Sequence, residues 1–178
     1  STSGAIAVRS VRIHIISRAV SPCYTPTNYY LGGETLVMYE TILAPTDGSD
    51  GAENAVERAI ELATLFNADL HLLYVADSEQ FSADKPEAEI ETMLDDLEDE
   101  GQRIVADLED QAYDSSVDYV ETHVDRGTPH EKILEYVDTH GIELVVLGTH
   151  GESGYEAVHL GHIAHEVARR LDEPLLLV

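Results

Sequence analysis

From Met38 onward the chain alternates short, nearly continuous apolar runs with longer segments whose apolar residues recur every three or four positions. No other feature narrows the fold as much. A strand covered on both faces reads as an unbroken apolar run, and a helix packed on one side reads as a stripe. Thr41 to Ala44, opened by Tyr39 and closed by Pro45, reads as a first strand, and Ala68 to Ala76, Val117 to Val124, Ile142 to Leu147 and Leu175 to Val178 read as four more. The polar alternation of Val117 to Val124 suits a sheet edge with one wetter face. Between these runs lie four helical stripes: Ala52 to Phe66, Ile90 to Ala112, Ile133 to Val137, and Ile163 to Leu171. The acidic residues of the long second helix, which starts near Pro86, read as a solvated face. Asp50 and Glu53 have the spacing of a capping box, and Thr128-Pro129-His130-Glu131 offers an N-cap, a proline at the first helical position and a glutamate three residues on. Gly141 after His140 ends the third helix, Arg169 and Arg170 suit the negative end of the fourth, and Pro174 stops it. Five strands alternating with four helices predict an α/β domain, an open, mostly parallel sheet with helices on both faces. Ligands of such sheets sit beyond the carboxyl ends of the strands at the switch point, which directs attention to the loops after the first, second and fourth strands.

The length of 178 residues suits one principal core. Residues 1–37 carry Arg9, Arg12 and Arg18 against Glu34, a net +2, so the remainder of a chain at −25 holds −27. Acidity on this scale repels nucleic-acid backbones and anionic lipid surfaces, and neither is an expected partner. It also sets the compact chain against itself unless salt intervenes, since the Debye length falls to about 3 Å at 1 M. Lys85 and Lys132 are its only lysines, and an acidic, lysine-poor surface is what a soluble protein of a high-salt cytosol is expected to show. The single cysteine, Cys23, forms no disulfide within the chain, which suits a reducing compartment. Arginines interrupt the apolar stretch from Ala5 to Val20, so it falls short of a membrane span. The break at Met38 marks 38–178 as the domain, with 1–37 expected to be a flexible tail or an extension ahead of a natural start at Met38.

The loop after the fourth strand reads Gly148-Thr149-His150-Gly151-Glu152-Ser153-Gly154, and Gly161-His162 opens the following helix. Glycines let backbone N–H groups close on an anion, and a helix start adds the positive end of its dipole. A tight surface loop accounts for the same glycines. Asp47, at the carboxyl end of the first strand, can accept hydrogen bonds from a sugar or an adenine amine, while Asp47-Gly48-Ser49 is equally a common Asx turn. Neither lysine follows a glycine loop, so there is no Walker-type phosphate loop, and the loop after the first strand lacks the dinucleotide glycine spacing. Ser153 does not sit in a nucleophile elbow, and no catalytic residue is assigned. His159, His162 and His165 with Glu166 lack the compact spacing of structural zinc ligands, and no metal site is assigned.

Several stretches, taken together in order and spacing, resemble the single-domain universal stress proteins from Met38 to Val178. They are Tyr39-Glu-Thr-Ile-Leu-Ala-Pro-Thr-Asp47-Gly-Ser, Leu73-Tyr-Val-Ala-Asp77, Val124-Asp-Arg-Gly-Thr-Pro-His-Glu-Lys-Ile133, Val146-Leu-Gly-Thr-His-Gly-Glu-Ser-Gly154 and Leu160-Gly-His-Ile-Ala-His-Glu-Val167. The resemblance implies a Rossmann-like fold of the adenine nucleotide alpha hydrolase-like type. ATP-binding members carry glycine, two residues, glycine, nine residues, glycine, then serine or threonine. Gly148, Gly151 and Gly161 match that spacing, and His162 stands at the hydroxyl position. By resemblance, Pro45, Thr46, Asp47 and Val75 border an adenine and ribose pocket. Leu147, Gly148, His150, Gly151, Ser153, Gly154, Gly161, His162 and Ile163 lie toward the phosphates, which would carry Mg or Mn.

His162 exchanges a hydroxyl donor for a larger ring whose charge depends on pH, and Glu152 adds a carboxylate to the same loop. Two like charges 4 Å apart cost about 1 to 4 kcal/mol between bulk water and a protein surface, tenfold or more in affinity, which counts against a triphosphate. The expected function is that of a cytoplasmic stress-response protein. It would hold ATP or another adenine nucleotide with little or no turnover, in a homodimer paired along Leu175 to Val178. Two alternatives stay open: an ATP-hydrolysing enzyme on the same fold, and a nucleotide-free dimerising interaction module.

Overall fold

The computed structural model describes residues 27–31, 34–81, 85–149 and 161–178. Strands β1 (Thr27–Leu31) and β2 (Glu34–Met38) form an antiparallel two-stranded sheet, in a stretch where the sequence pattern assigns no element. The main sheet holds β3 (Thr41–Thr46), β4 (Asp69–Asp77), β5 (Val120–Gly127), β6 (Leu144–Leu147) and β7 (Leu175–Leu177) in the order β5-β4-β3-β6-β7. Every pairing in it is parallel. The helices are α1 (Asp50–Phe66), α2 (Glu87–Asp114), α3 (Pro129–His140) and α4 (His162–Arg170). No helix among the described residues is long and apolar enough to cross a membrane.

Side-chain alternation along the strands divides the core between the two faces of the sheet. Ile42, Ala44, Leu70, Leu72, Leu144 and Val146 pack against the α1 stripe and the carboxyl half of α2. Leu43, Leu73, Val145 and Leu147 face α3 and α4 on the other side. Ile90, Leu94, Leu97, Ile104 and Val105 of α2 close a smaller cluster over Tyr74 and Ala76. The wetter strand β5 lies at an edge, as its alternation implies, and β7 forms the opposite edge.

Local signals shift several boundaries. The first strand runs on through Pro45 to Thr46, pairing Pro45 with Leu73. Ser49, and not Asp50, caps α1: its side chain accepts from the Ala52 N–H at 3.3 Å, so Asp50 and Glu53 form no capping box. Thr128 is the N-cap of α3 with proline following, but its side chain makes no capping bond. Val117 belongs to the turn that ends α2, where its N–H donates to Ala112 O, and the edge strand starts three residues later than its alternation suggests. Gly141, at φ 64, ends α3 in the left-handed conformation that favours glycine.

Candidate functional site

The chain leaves central β3 toward β4 and β5 on one side and returns through β6 to β7 on the other. The switch point therefore lies between β3 and β6. These strands pair only at Ile42 with Leu144 and Leu43 with Val145, whereas β3 stays with β4 as far as Thr46 and β6 with β7 as far as Leu147. Pro45 offers no N–H with which to extend the β3–β6 ladder. Where the two strands part, a cavity of about 350 Å³ opens.

Pro45, Thr46 and Asp47 form its first wall. The Asx turn is present: Asp47 Oδ1 accepts from Ser49 N at 3.0 Å and from Ser49 Oγ at 2.5 Å. Both bonds use one oxygen, so the turn orients the carboxylate while leaving Oδ2 out of it. Gly48 sits at φ +78 inside that turn, a conformation for which glycine is favoured.

Leu73, Tyr74, Val75 and Asp77 of β4 form the second wall with Leu97 and Glu100 of α2. Gly101 explains how α2 comes so close. A Cβ there would lie 2.3 Å from the Tyr74 ring, so only glycine lets the helix settle on it and bring Leu97 and Glu100 to the cavity. Asp77 Oδ1 accepts from Glu79 N at 2.8 Å and caps the short turn Ser78–Gln80, whose Gln80 also lines the space.

The third wall joins Leu147, Gly148 and Thr149 to Gly161, His162, Ile163 and Ala164, with Pro129 and Ile133 of α3 behind. Gly148 is glycine for packing, because a Cβ would meet Gly51 O at 2.6 Å where β6 ends over the first turn of α1. Thr149 ties the end of β6 to Gly161 and to Val178. Its N–H and hydroxyl donate to Val178 O at 2.8 and 2.9 Å, and its carbonyl accepts the Gly161 N–H at 2.9 Å. His162 is the first residue of α4 and is exposed, with its ring 6.1 Å from that of His130 in an edge-on contact. His130 is buried, and its Nδ1 has no hydrogen-bond partner among the described residues.

Pro45, Thr46, Asp47, Val75, Leu147, Gly148, Gly161, His162 and Ile163 are thus brought together around one cavity. His150, Gly151, Ser153 and Gly154 lie outside the described residues. Sequence reasoning missed the contribution of α2. Leu97 reads as core, Glu100 as solvated surface, and only a glycine in mid-helix at 101 signals a close approach. Of the histidines weighed for metal, His159 lies outside the described residues, and His165 Nδ1 stands 3.6 Å from Glu166 Oε1. Glu166 also pairs with Arg169 and Arg170, and hydrogen bonding to Arg169 holds its carboxyl below the usual carboxylate range. No group of three potential ligands among the described residues is placed to hold a metal ion.

Residues 38–178 match the model of the universal stress protein family. The universal stress protein MJ0531 of Methanocaldococcus jannaschii is 33% identical over 146 residues, covering 82% of this chain and 84% of the relative. Universal stress protein UspA from Lactobacillus plantarum superposes with a TM-score of 0.74 at 25% identity, over 79% of this chain and 98% of that one. A universal stress protein solved in complex with cAMP matches at a TM-score of 0.60 and 29% identity, over 79% and 97% of the two chains. With its parallel order, its switch-point cavity and the match over residues 38–178, this chain belongs to the universal stress protein family.

Proposed function

We propose that this protein is a cytoplasmic stress-response protein that holds an adenine nucleotide at the switch point, as a homodimer and with little or no turnover. The cavity carries this reading. It is large enough for a small ligand, it lies where open α/β sheets bind theirs, and the ends of β3, β4 and β6 converge on it. Asp47 with Oδ2 outside its turn suits a ribose hydroxyl, Val75 and Pro45 suit the faces of a base, and the start of α4 suits a phosphate. The relative bound to cAMP supports the nucleotide class. Pairing along β7 is supported by its edge position and by Leu175 to Val178, which are only half-buried in the single chain.

The test is mass analysis of small molecules released from the native protein, followed by titration with adenine nucleotides in molar KCl. An adenine compound that is released, and that Val75→Trp no longer retains while remaining folded, is the expected result. Phosphate release abolished by the same substitution would turn the reading into a hydrolase. A folded dimer without affinity for any adenine compound would leave only the interaction module. For the dimer, sedimentation should give twice the chain mass, and deletion of Pro174 to Val178 should give a monomer.

A further inference from the structure

The seam between α3 and β4 runs from the cavity to a buried histidine. At one end Leu73 and Val75 of β4 and Pro129 and Ile133 of α3 line the cavity. Two residues back along the same face of β4 stands His71, and Tyr136 and His140 follow Ile133 at successive turns of α3. His71 is buried, with Nδ1 3.0 Å from the Tyr136 hydroxyl, and His140 stacks on the Tyr136 ring at 3.8 Å. Ile133, Tyr136 and Val137 share an apolar cluster with Leu73, so the carboxyl half of α3 rests on β4 through that cluster and this polar bond.

The groups facing the imidazole come from three elements. Asp69 lies on β4 itself, Glu121 of β5 brings a carboxylate oxygen to 3.9 Å from Nδ1, and α3 brings Tyr136 and His140. The residue paired with His71 on β3 is Leu43, which carries no charge, and His123 of β5 lies 5.6 Å from the Tyr136 ring. Neutral His71 can accept the Tyr136 hydroxyl proton at Nδ1, whereas an imidazolium carries hydrogen on both nitrogens and cannot. Burial holds the His71 pKa below the ordinary imidazole value, and His140 adds to this, against the pull of Glu121 and Asp69.

We propose that His71 is a proton-operated latch on α3: the neutral ring holds Tyr136 and the carboxyl half of the helix on β4, and a proton on it releases them and slackens the wall that Ile133 gives the cavity. Closed, the ring resists a proton; open and hydrated, it takes one near pH 6.5. Opening is therefore favoured as pH falls below about 6.5. At pH 5.5 one such proton can favour the open form by at most about tenfold.

Hydrogen exchange read by mass spectrometry in the full chain without ligand, corrected for the intrinsic pH dependence of exchange, compares about pH 8 with about pH 5.5. Amides of residues 133–140 should open about threefold to tenfold more in acid in the wild type, with β3 and α1 unchanged, and less than about twofold more in His71→Gln. Equal acceleration in the two proteins overturns the latch. Acceleration spread evenly over the sheet also overturns it, since that is global destabilisation. NMR of the wild type reads the same event without a substitution: the His71 ring and the α3 amides should share one midpoint below about pH 6.5, and separate midpoints overturn the proposal. The effect on ligand rests on the adenine-nucleotide reading, whereas the movement of α3 does not. From pH 8 to 5.5 the loss of AMP affinity should be about threefold or more greater in the wild type than in His71→Gln. Equal losses overturn the hold on the cavity wall. Absence of AMP binding at either pH, with the exchange of α3 as expected, overturns the adenine reading and leaves the latch standing.

Discussion

His71 shows how much chemistry one residue inside a strand can hold. It is 6% exposed in the middle of β4, with Nδ1 3.0 Å from the Tyr136 hydroxyl and 3.9 Å from a Glu121 carboxylate oxygen. Tyr136 stacks on His140 at 3.8 Å, and the His140 ring also lies 6.2 Å from that of His71. Burial lowers the His71 pKa, and His140 adds to the shift, while Glu121 and Asp69 oppose it. Burial, with Glu121, pushes the Tyr136 hydroxyl up to about 12, so it stays protonated beside the ring at neutral pH. As pH falls, the unfolded chain takes up the proton first. Stability from this site is therefore complete above the unfolded value near 6.5 and declines as pH falls through it toward the folded value. In urea unfolding between about pH 8 and 5, the wild type should lose stability with a steeper slope than His71→Gln; equal slopes would place the acid sensitivity elsewhere. Nothing in an apolar run containing one histidine points to this arrangement, because Tyr136 and His140 meet it only once α3 packs on the sheet.

At the scale of elements, α2 contributes most of what the sequence concealed. Its apolar seam was legible, but the face written off as solvated is partly an anchor: Arg126 of β5 pairs with Glu91, Asp95 and Glu98 across the strand–helix contact. Hydrogen bonding to Arg126 holds the Glu98 carboxyl below the usual carboxylate range. Such partners are distant in sequence and leave no periodic mark. Gly101 is the second concealed feature. Alanine in place of a mid-helix glycine ordinarily gains about 1 kcal/mol in helix propensity, yet here its Cβ would meet the body of the Tyr74 ring at 2.3 Å. Overpacking of that kind costs about 1 to 3 kcal/mol, so Gly101→Ala should be destabilising or near neutral where propensity alone predicts a gain. Chemical denaturation decides between the two, and a full kcal/mol of added stability would count against the close contact. The alternation of five strands with four helices, the helix faces and the loops to inspect were legible because apolar periodicity and loop position determine them, whereas the nine lining residues were named from the family resemblance and the strand order was not read at all. Capping geometry and the reach of α2 were not legible, because they depend on single bonds and on one missing side chain.

The whole molecule must fold against its own charge. Residues 38–178 carry the −27 left when the +2 of residues 1–37 is taken from −25, and the described cations are mostly engaged: Arg58 with Glu61, Lys85 with Glu89, Arg126 with three carboxylates, Lys132 with Asp125 and Glu135. Exposed pairs of this sort contribute little each. The larger effect is diffuse repulsion among the remaining carboxylates, which acts over about 10 Å at 0.1 M salt and about 3 Å at 1 M. The unfolded chain spreads the same charge over a larger volume, so screening favours the folded state. The thermal unfolding midpoint should therefore rise steadily between about 0.1 M and 2 M KCl. Arg126→Gln separates this global effect from a local one. Without the guanidinium, Glu91, Asp95 and Glu98 face one another with no counterion, so the variant should fall furthest below wild type at low salt and recover most of the gap in molar KCl. A midpoint unchanged by salt in the wild type would remove the charge-repulsion account of the whole molecule. A deficit in Arg126→Gln that stays constant with salt would show that Arg126 holds α2 to β5 by packing and directed hydrogen bonds, independently of the acidity around it.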